Sequence, residues 1–138
     1  MKIEINNRAK SEIDLSLVRR IVNKFAKAHD VSHKEISIAF IGDAEIKKLN
    51  QTYRRKNEPT DVLTFAGEEE FWGEIIIDFE QIKRQAGRLG HSAQDEMIFI
   101  LVHGLLHLLG YNDETEKGRR KMIKQADSLL KKLNLSYD

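Results

Sequence analysis

The most apolar run of the chain, residues 97–113 (MIFILVHGLLHLLGYND), carries two histidines, a glycine and an aspartate at fixed intervals. His103 and His107 are four residues apart, Gly110 follows three residues later, and Asp113 three after that. Residues four apart on an α-helix lie on the same face, so both imidazoles can bind one metal ion. Two imidazoles and a carboxylate suit Zn²⁺ and leave a fourth position for water. The run therefore predicts a buried, metal-binding helix.

The same spacing occurs in the metzincin proteases, whose last position is a third histidine. Gly110 is expected to end the helix in the left-handed conformation, and the chain then turns back to bring Asp113 to the metal. Gly104 departs from the zincin motif, because zincins have at that position the glutamate that is the general base for peptide hydrolysis. We interpret the run as a zincin-like metal cradle without the proteolytic base. The competing interpretation is that both histidines are hydrogen-bonded core residues.

The composition fits one globular domain over residues 1–138, with 41% hydrophobic residues. The absence of cysteine excludes disulfides and thiolate metal sites and leaves nitrogen and oxygen ligands. A net charge of +1 is not that of a strongly basic nucleic-acid binder, so any such binding depends on a local patch. The N-terminal residues lack the apolar core of a signal peptide, and residues 97–109 are too short to span a bilayer. We expect a cytoplasmic protein without membrane contact.

Hydrophobic periodicity predicts four strands and about five helices. Strands are expected at residues 2–6, 35–41, 61–65 and 71–79, and the unbroken Ile75, Ile76 and Ile77 indicate a central strand buried on both faces. Helices are expected at residues 14–28, 43–54, 79–88, after Ser92, and at 115–133. Because strands and helices do not alternate strictly, the predicted fold class is α+β. We expect a small four-stranded, mostly mixed sheet packed with the helices, the metal-binding helix being central and buried.

The last predicted helix has an apolar stripe and a basic outer face. The residues assigned to the buried stripe are Met122, Ile123, Ala126, Leu129, Leu130 and Leu133, and those assigned to solvent are Arg119, Arg120, Lys121 and Lys124. The helix over residues 79–88 is closed by Gly87 or Gly90. His91 then falls in a loop, where a surface or helix-capping role is expected.

Four motifs occur in a fixed order: LNQTYRRKNEPTDVLTF from Leu49, GEIII from Gly73, GHS from Gly90 and HGLLHLLGYND from His103. Together they resemble the bacterial YbeY family of rRNA-maturation endoribonucleases, over about residues 36–130. The resemblance implies a metal-dependent hydrolase that cleaves single-stranded RNA, matures the 3′ end of small-subunit rRNA and takes part in ribosome quality control. The implied partners are single-stranded rRNA, the small ribosomal subunit and assembly factors, with no nucleotide cofactor.

The resemblance also implies roles for individual residues. His103 and His107 match the first two histidines of the family's three-histidine zinc site, and Asp113 occupies the third position. Arg54 matches the arginine of the family's Tyr-Arg-x-Lys stretch, which is implicated in RNA cleavage. Glu74 stands where the family often has aspartate. The implied cofactor is one Zn²⁺ ion, although the oxygen ligand at position 113 also suits other divalent transition metals such as Mn²⁺, Fe²⁺ or Ni²⁺.

Several points stay open at the level of sequence. From spacing alone, the cations at residues 54–56 complement a helix dipole or form a positive loop edge. Asp61 and Glu74 are both candidates for a general base, and either water or the 2′-hydroxyl of RNA is an acceptable nucleophile. A metalloprotease is supported by the histidine spacing and opposed by Gly104. A non-catalytic ribosome-assembly factor with a structural metal is the other alternative, although such sites normally have four protein ligands.

Overall fold

Strands and helices follow one another along the chain as the periodicity predicts. The computed structural model describes residues 1–9, 11–112 and 114–132, with the side chains of all of these except 130 and 132. The described elements are β1 (Lys2–Asn7), α1 (Leu15–Ala28), β2 (Glu35–Ile41), α2 (Asp43–Arg54), β3 (Val62–Ala66), β4 (Phe71–Asp78), α3 (Phe79–Leu89), α4 (Ala93–Leu108) and α5 (Glu116–Lys132). The predicted α+β fold, with one four-stranded mixed sheet and five helices, is confirmed.

The sheet has the strand order β1-β2-β4-β3. Strands β1, β2 and β4 are parallel, and β3 forms an antiparallel hairpin with β4. The isoleucine run 75–77 lies in β4, which has a neighbouring strand on each side and is buried on both faces. The prediction of a central strand is therefore confirmed.

Helices cover both faces of the sheet. The larger core lies on the face that carries α1, α3, α4 and α5. A smaller core on the opposite face holds α2 against the sheet and consists of Ala39, Ile41, Ile46, Leu63 and Ile76. Strands β2 and β4 are adjacent and parallel, yet the helices that follow them, α2 and α3, lie on opposite faces. A crevice therefore forms at the carboxyl ends of these two strands, as in open α/β sheets.

The helix ends follow the predicted capping residues. Asp14 caps α1 by accepting a hydrogen bond from the backbone N–H three residues later at 3.0 Å, and Ser92 caps α4 in the same way at 3.1 Å. Gly90, with a φ of +77°, ends α3, so that Gly87 lies inside this helix. Gly110 adopts a φ of +100° two residues after the end of α4, which confirms the predicted left-handed turn.

Helix α4 is the central element of the fold. It packs against α1, α3 and α5 and against strands β3 and β4, and most of its side chains are buried. Gly104 faces the sheet, because a Cβ atom placed there would lie 3.2 and 3.3 Å from two side-chain carbons of Ile75 and 3.4 Å from Cγ2 of Thr64. The missing side chain thus lets α4 approach the sheet closely. The position that carries the general base in zincins is here a packing position.

We expect Gly104→Glu to lower the free energy of unfolding by at least about 3 kcal/mol, because it forces a carboxylate into an apolar interface. Gly87→Glu is the matched control, since Gly87 is exposed on α3 and a Cβ there meets no described atom within 4 Å. The control should be slightly more stable than the parent, because glutamate is the better helix former. Urea unfolding measures both changes. Equal stability of the two variants would contradict this assignment of Gly104.

Helix α5 corrects part of the predicted stripe. Met122, Ala126 and Leu129 are buried as predicted, but Ile123 is 54% exposed. The buried stripe is therefore narrower than predicted, and its described members are spaced by four and three positions. The side chain at 130 and all of residue 133 lie outside the described residues. The predicted outward cations of α5, Arg119, Arg120, Lys121 and Lys124, are exposed.

None of the helices in the described part of the chain is long and apolar enough to cross a membrane.

Candidate active site

A cavity of about 800 Å³ opens between α4, the end of α2 and strand β3. Its described lining combines two histidines, an arginine, a carboxylate, hydroxyls and aromatic rings. These residues are Tyr53, Arg54, Thr60, Asp61, Val62, Leu63, Thr64, Phe65, Phe99, Ile100, His103 and His107. Three of the four residues that the sequence predicts for the site therefore line one cavity: Arg54, His103 and His107.

His103 and His107 lie on the same face of α4, with their ring centroids 4.8 Å apart and their planes inclined at 65°. Both are partly buried, and the ring of Phe99 lies 5.8 Å from that of His103. Two imidazoles this close on one helix face fit the coordination of a single ion. The predicted third ligand, Asp113, lies outside the described residues.

Arg54 is brought to this cavity by the way α2 ends. Arg55 adopts the left-handed conformation with a φ of +57°, so the chain leaves the helix immediately after Arg54. The buried side chain of Asn50 donates a hydrogen bond to the carbonyl of Glu58 at 2.8 Å, which ties the following loop to the last turns of α2. The exposed guanidinium of Arg54 therefore lies at the rim of the cavity, on a helix end that the loop contact stabilises.

The structure separates the two candidates for a general base. Asp61 lines the cavity, and its Oδ2 accepts a hydrogen bond from Nε2 of Gln85 at 3.3 Å. Glu74 accepts a hydrogen bond from the hydroxyl of Ser37 at 3.2 Å and is not among the described residues that line the cavity. Of these two carboxylates, Asp61 is the one that lines the cavity.

His91 corrects a sequence-based expectation. Its Nε2 lies 2.8 Å from Oε1 of Glu96, a carboxylate that is only 4% exposed. The other oxygen of Glu96 accepts a hydrogen bond from Nε2 of Gln85 at 3.0 Å. The predicted loop position of His91 is confirmed, and its backbone N–H caps α3 by donating to the carbonyl of Ala86, but its side chain is partly buried against Glu96 rather than free at the surface. The sequence does not indicate these two partners, because a glutamate in the first turn of a helix is normally explained by the helix dipole and a glutamine on an amphipathic helix usually faces solvent.

A second polar group lies at the crevice between β2 and β4. Oxygens of Asp43, Asp78 and Glu80 lie within 4.8 Å of one another, and this group could hold a metal ion. Arg84, however, donates to both oxygens of Asp43 at 2.9 and 2.8 Å, which lowers the pKa of Asp43 well below its usual range. Burial, and then the neighbouring Asp43, raise the pKa of Asp78 to about 7. A proton held by Asp78 and shared with Asp43 relieves this crowding of charge.

The raised pKa of Asp78 predicts how stability depends on pH. The carboxyl of Asp78 binds its proton more tightly in the folded state than in the unfolded chain, where its pKa is 3.8. The protonated carboxyl therefore contributes fully to the stability of the fold below pH 3.8, and this contribution is lost as the pH rises through about 7. Asp78→Asn replaces the neutral acid by a neutral amide that can still cap α3. Between pH 5.5 and 8.5 the parent should lose about 2 kcal/mol of stability that the variant keeps. Urea unfolding at both pH values tests this, and parallel losses in parent and variant would contradict it.

The fold and the cavity together define a class of protein. An α+β chain in which an apolar helix presents paired histidines to a cavity that also holds an arginine has the parts of a hydrolase of phosphate esters.

Comparisons with known proteins narrow this class to a family. The family model described as Endoribonuclease YbeY matches residues 3–134. Proteins named Endoribonuclease YbeY are similar to this chain over most of its length. The protein of Pelotomaculum thermopropionicum is 40% identical, over 87% of this chain and 86% of its own length. The protein of Phytoplasma australiense is 37% identical, over 98% of this chain and 97% of its own length. The solution structure of TM1509 from Thermotoga maritima is 25% identical, with a TM-score of 0.67 over 96% of this chain and 91% of its own.

The chain belongs to the YbeY family, as its four motifs predict. The family is one of endoribonucleases, so the prediction of an enzyme of the hydrolase class is confirmed with it.

Proposed function

We propose that this chain is a zinc-dependent endoribonuclease specific for single-stranded RNA, acting in 3′ maturation of small-subunit rRNA and in ribosome quality control. The observation that supports this proposal most directly is that Arg54, His103 and His107 line the same cavity. Residues 1–138 are proposed to form one such hydrolase domain in the cytoplasm, working with the small ribosomal subunit and its assembly factors.

The metal ligands we propose are His103, His107 and Asp113, with zinc as the ion. The two imidazoles fit this role by their shared face and spacing on α4. When bound, such an ion supplies Lewis-acid polarisation of a phosphoryl oxygen and lowers the pKa of a bound water. Because α4 is packed on several sides by other elements, the two histidines are held on a rigid support.

Arg54 binds the scissile phosphate in this proposal. The planar guanidinium can donate to two phosphate oxygens at once and stabilises the negative charge that builds on them during cleavage. An exposed cation can reach the phosphate as RNA enters, and Arg54 is exposed at the cavity rim.

The specificity for single strands is supported by aromatic rings around the cavity. Tyr53 is 63% exposed and packs edge-on against Phe65, with the ring centroids 5.0 Å apart. A ring held in this way can stack on an unpaired base, which is the common mode of single-strand recognition. A base inside a duplex is already stacked on its neighbours and cannot use this surface.

The packing of Gly104 argues against the alternative of a metalloprotease. A zincin uses the residue after its first histidine as general base. Here that position is a glycine whose nearest neighbour is Ile75 of the central strand, so a side chain placed there would pack against the sheet.

Cleavage assays with three substrates test the proposed function. Zinc-loaded protein should cut a single-stranded RNA, leave the same RNA intact when it is annealed to its complement, and leave a denatured protein such as casein intact. The ends of the RNA products identify the nucleophile, because attack by the 2′-hydroxyl leaves a 2′,3′-cyclic phosphate. Cleavage of casein, or equal cleavage of duplex and single strand, would contradict the proposal.

A further inference from the structure

Cleavage in this cavity needs a group that accepts the proton of the attacking hydroxyl. Among the described residues that line the cavity, Asp61 is the one carboxylate. It stands immediately before β3, and its backbone carbonyl accepts a hydrogen bond from the N–H of Asp78 at 2.9 Å, at the end of β4. The main chain of Asp61 is therefore fixed to the central strand of the sheet.

The side chain of Asp61 is fixed by Gln85 of α3. Nε2 of Gln85 donates to Oδ2 of Asp61 at 3.3 Å and to Oε2 of Glu96 at 3.0 Å, which uses both hydrogens of the amide. Oε1 of Gln85 accepts a hydrogen bond from Nε2 of Gln81 at 3.1 Å. Because its oxygen is occupied in this way, the amide presents its NH₂ group to the two carboxylates.

The chain of hydrogen bonds continues from Gln85 to the buried Glu96 and then to His91 of the GHS motif. Glu96 is 4% exposed, and its second oxygen lies 2.8 Å from Nε2 of His91. The backbone N–H of His91 donates to the carbonyl of Ala86 at 3.1 Å, which fixes the loop after α3. A buried carboxylate is costly unless hydrogen-bonded, so both partners of Glu96 hold it in one orientation.

We propose that Asp61 accepts the proton of the attacking hydroxyl, and that Gln85, Glu96 and His91 are positioning residues that hold its carboxylate in the cavity. The inference rests on the proposed function. The O–H bond of the nucleophile, water or a 2′-hydroxyl, breaks as its oxygen forms a bond to phosphorus, and the proton passes to Asp61. The bond from phosphorus to the leaving oxygen breaks, and that oxygen takes a proton from solvent. A carboxylate accepts about four hydrogen bonds, so Asp61 has capacity beyond its contacts with Gln85 and Thr60.

The first test is Asp61→Asn, which keeps the shape of the side chain and removes its basicity. Single-turnover cleavage of single-stranded RNA should slow by about 100- to 1,000-fold. The dissociation constant for RNA and the zinc content should stay unchanged, and Asp61→Glu should recover part of the rate. Glu74→Gln is the matched control, a carboxylate-to-amide change on β4, and should cleave at the parental rate.

The second test asks whether the positioning residues act through Asp61. Gln85→Leu and His91→Leu should each slow cleavage by about 10-fold, whereas His91→Gln, which can still donate to Glu96, should retain most of the rate. Combined with Asp61→Asn, Gln85→Leu should cause no further loss, since coupled residues are not additive. A merely structural contribution would add to the loss.

The outcomes distinguish this inference from the function on which it rests. If the parent cleaves RNA and Asp61→Asn cleaves at a similar rate, the inference is overturned while the proposed function stands. Loss of zinc from Asp61→Asn, or additive losses in the double variant, would equally overturn it. A parent that cleaves no RNA would overturn both.

Discussion

Replacing Arg54 by alanine is expected to slow cleavage of single-stranded RNA by about 1,000-fold, while the zinc content and the Tm stay at parental values. The guanidinium is exposed at the rim of the cavity, so its removal leaves no hole in the core. Under the proposed function, the variant loses the pair of donors that would stabilise charge on the phosphate. Single-turnover rates together with metal analysis of the same sample measure this effect.

Arg55→Ala is the matched control for this experiment. It removes the same charge from the adjacent residue, which is exposed and is not among the described residues lining the cavity. The control should cleave within a few-fold of the parent. If both variants lose activity alike, the basic loop acts by general attraction of RNA rather than through Arg54. If Arg54→Ala loses zinc, Arg54 has a structural role.

His103→Ala and His107→Ala are each expected to abolish cleavage and to weaken zinc binding by at least about 100-fold, because each removes a proposed ligand. A bound metal also stabilises the folded state by mass action. Added zinc should therefore raise the Tm of the chelator-treated parent and leave that of either variant unchanged. His33→Ala is the control, since His33 is exposed in the turn before β2. A Tm that responds to zinc equally in all four proteins would contradict the ligand assignment.

Much of the fold could be predicted from the sequence because its signals are local. The isoleucine run of β4, the caps Asp14 and Ser92, and the glycine after α4 act within a few residues of themselves, and the structure confirms each. The paired histidines belong to the same class of signal, since a spacing of four on one helix suffices to place them side by side.

The polar network around Gln85 could not be predicted, because it depends on contacts between distant segments. Asp61 and Gln85 are 24 residues apart, and nothing in the local pattern of either indicates the other. The contact between His91 and Glu96 spans only five residues, yet the sequence does not indicate it, because Glu96 becomes buried only once α4 is packed. Glutamines on amphipathic helices are usually solvent-facing, so Gln85 gave no signal of its own.

The role of position 104 in the histidine motif depends on its surroundings in the fold. The sequence shows only that a protease base is missing from the helix. The structure adds that a Cβ atom here would make tight contacts of 3.2 and 3.3 Å with the side chain of Ile75 in the central strand. Ile123 shows a different limit of the sequence pattern. Its periodicity predicts burial, but it lies beside the buried stripe of α5 and is exposed.

We propose that two imidazoles of α4 hold a catalytic metal ion within reach of Arg54, and the dependence of RNA cleavage on a chelator tests this most directly. We predict that the purified protein contains about one zinc ion per chain. We predict further that a chelator stops cleavage of single-stranded RNA and that added zinc restores it. Cleavage that continues at the same rate in metal-free protein would contradict the proposed role of the metal.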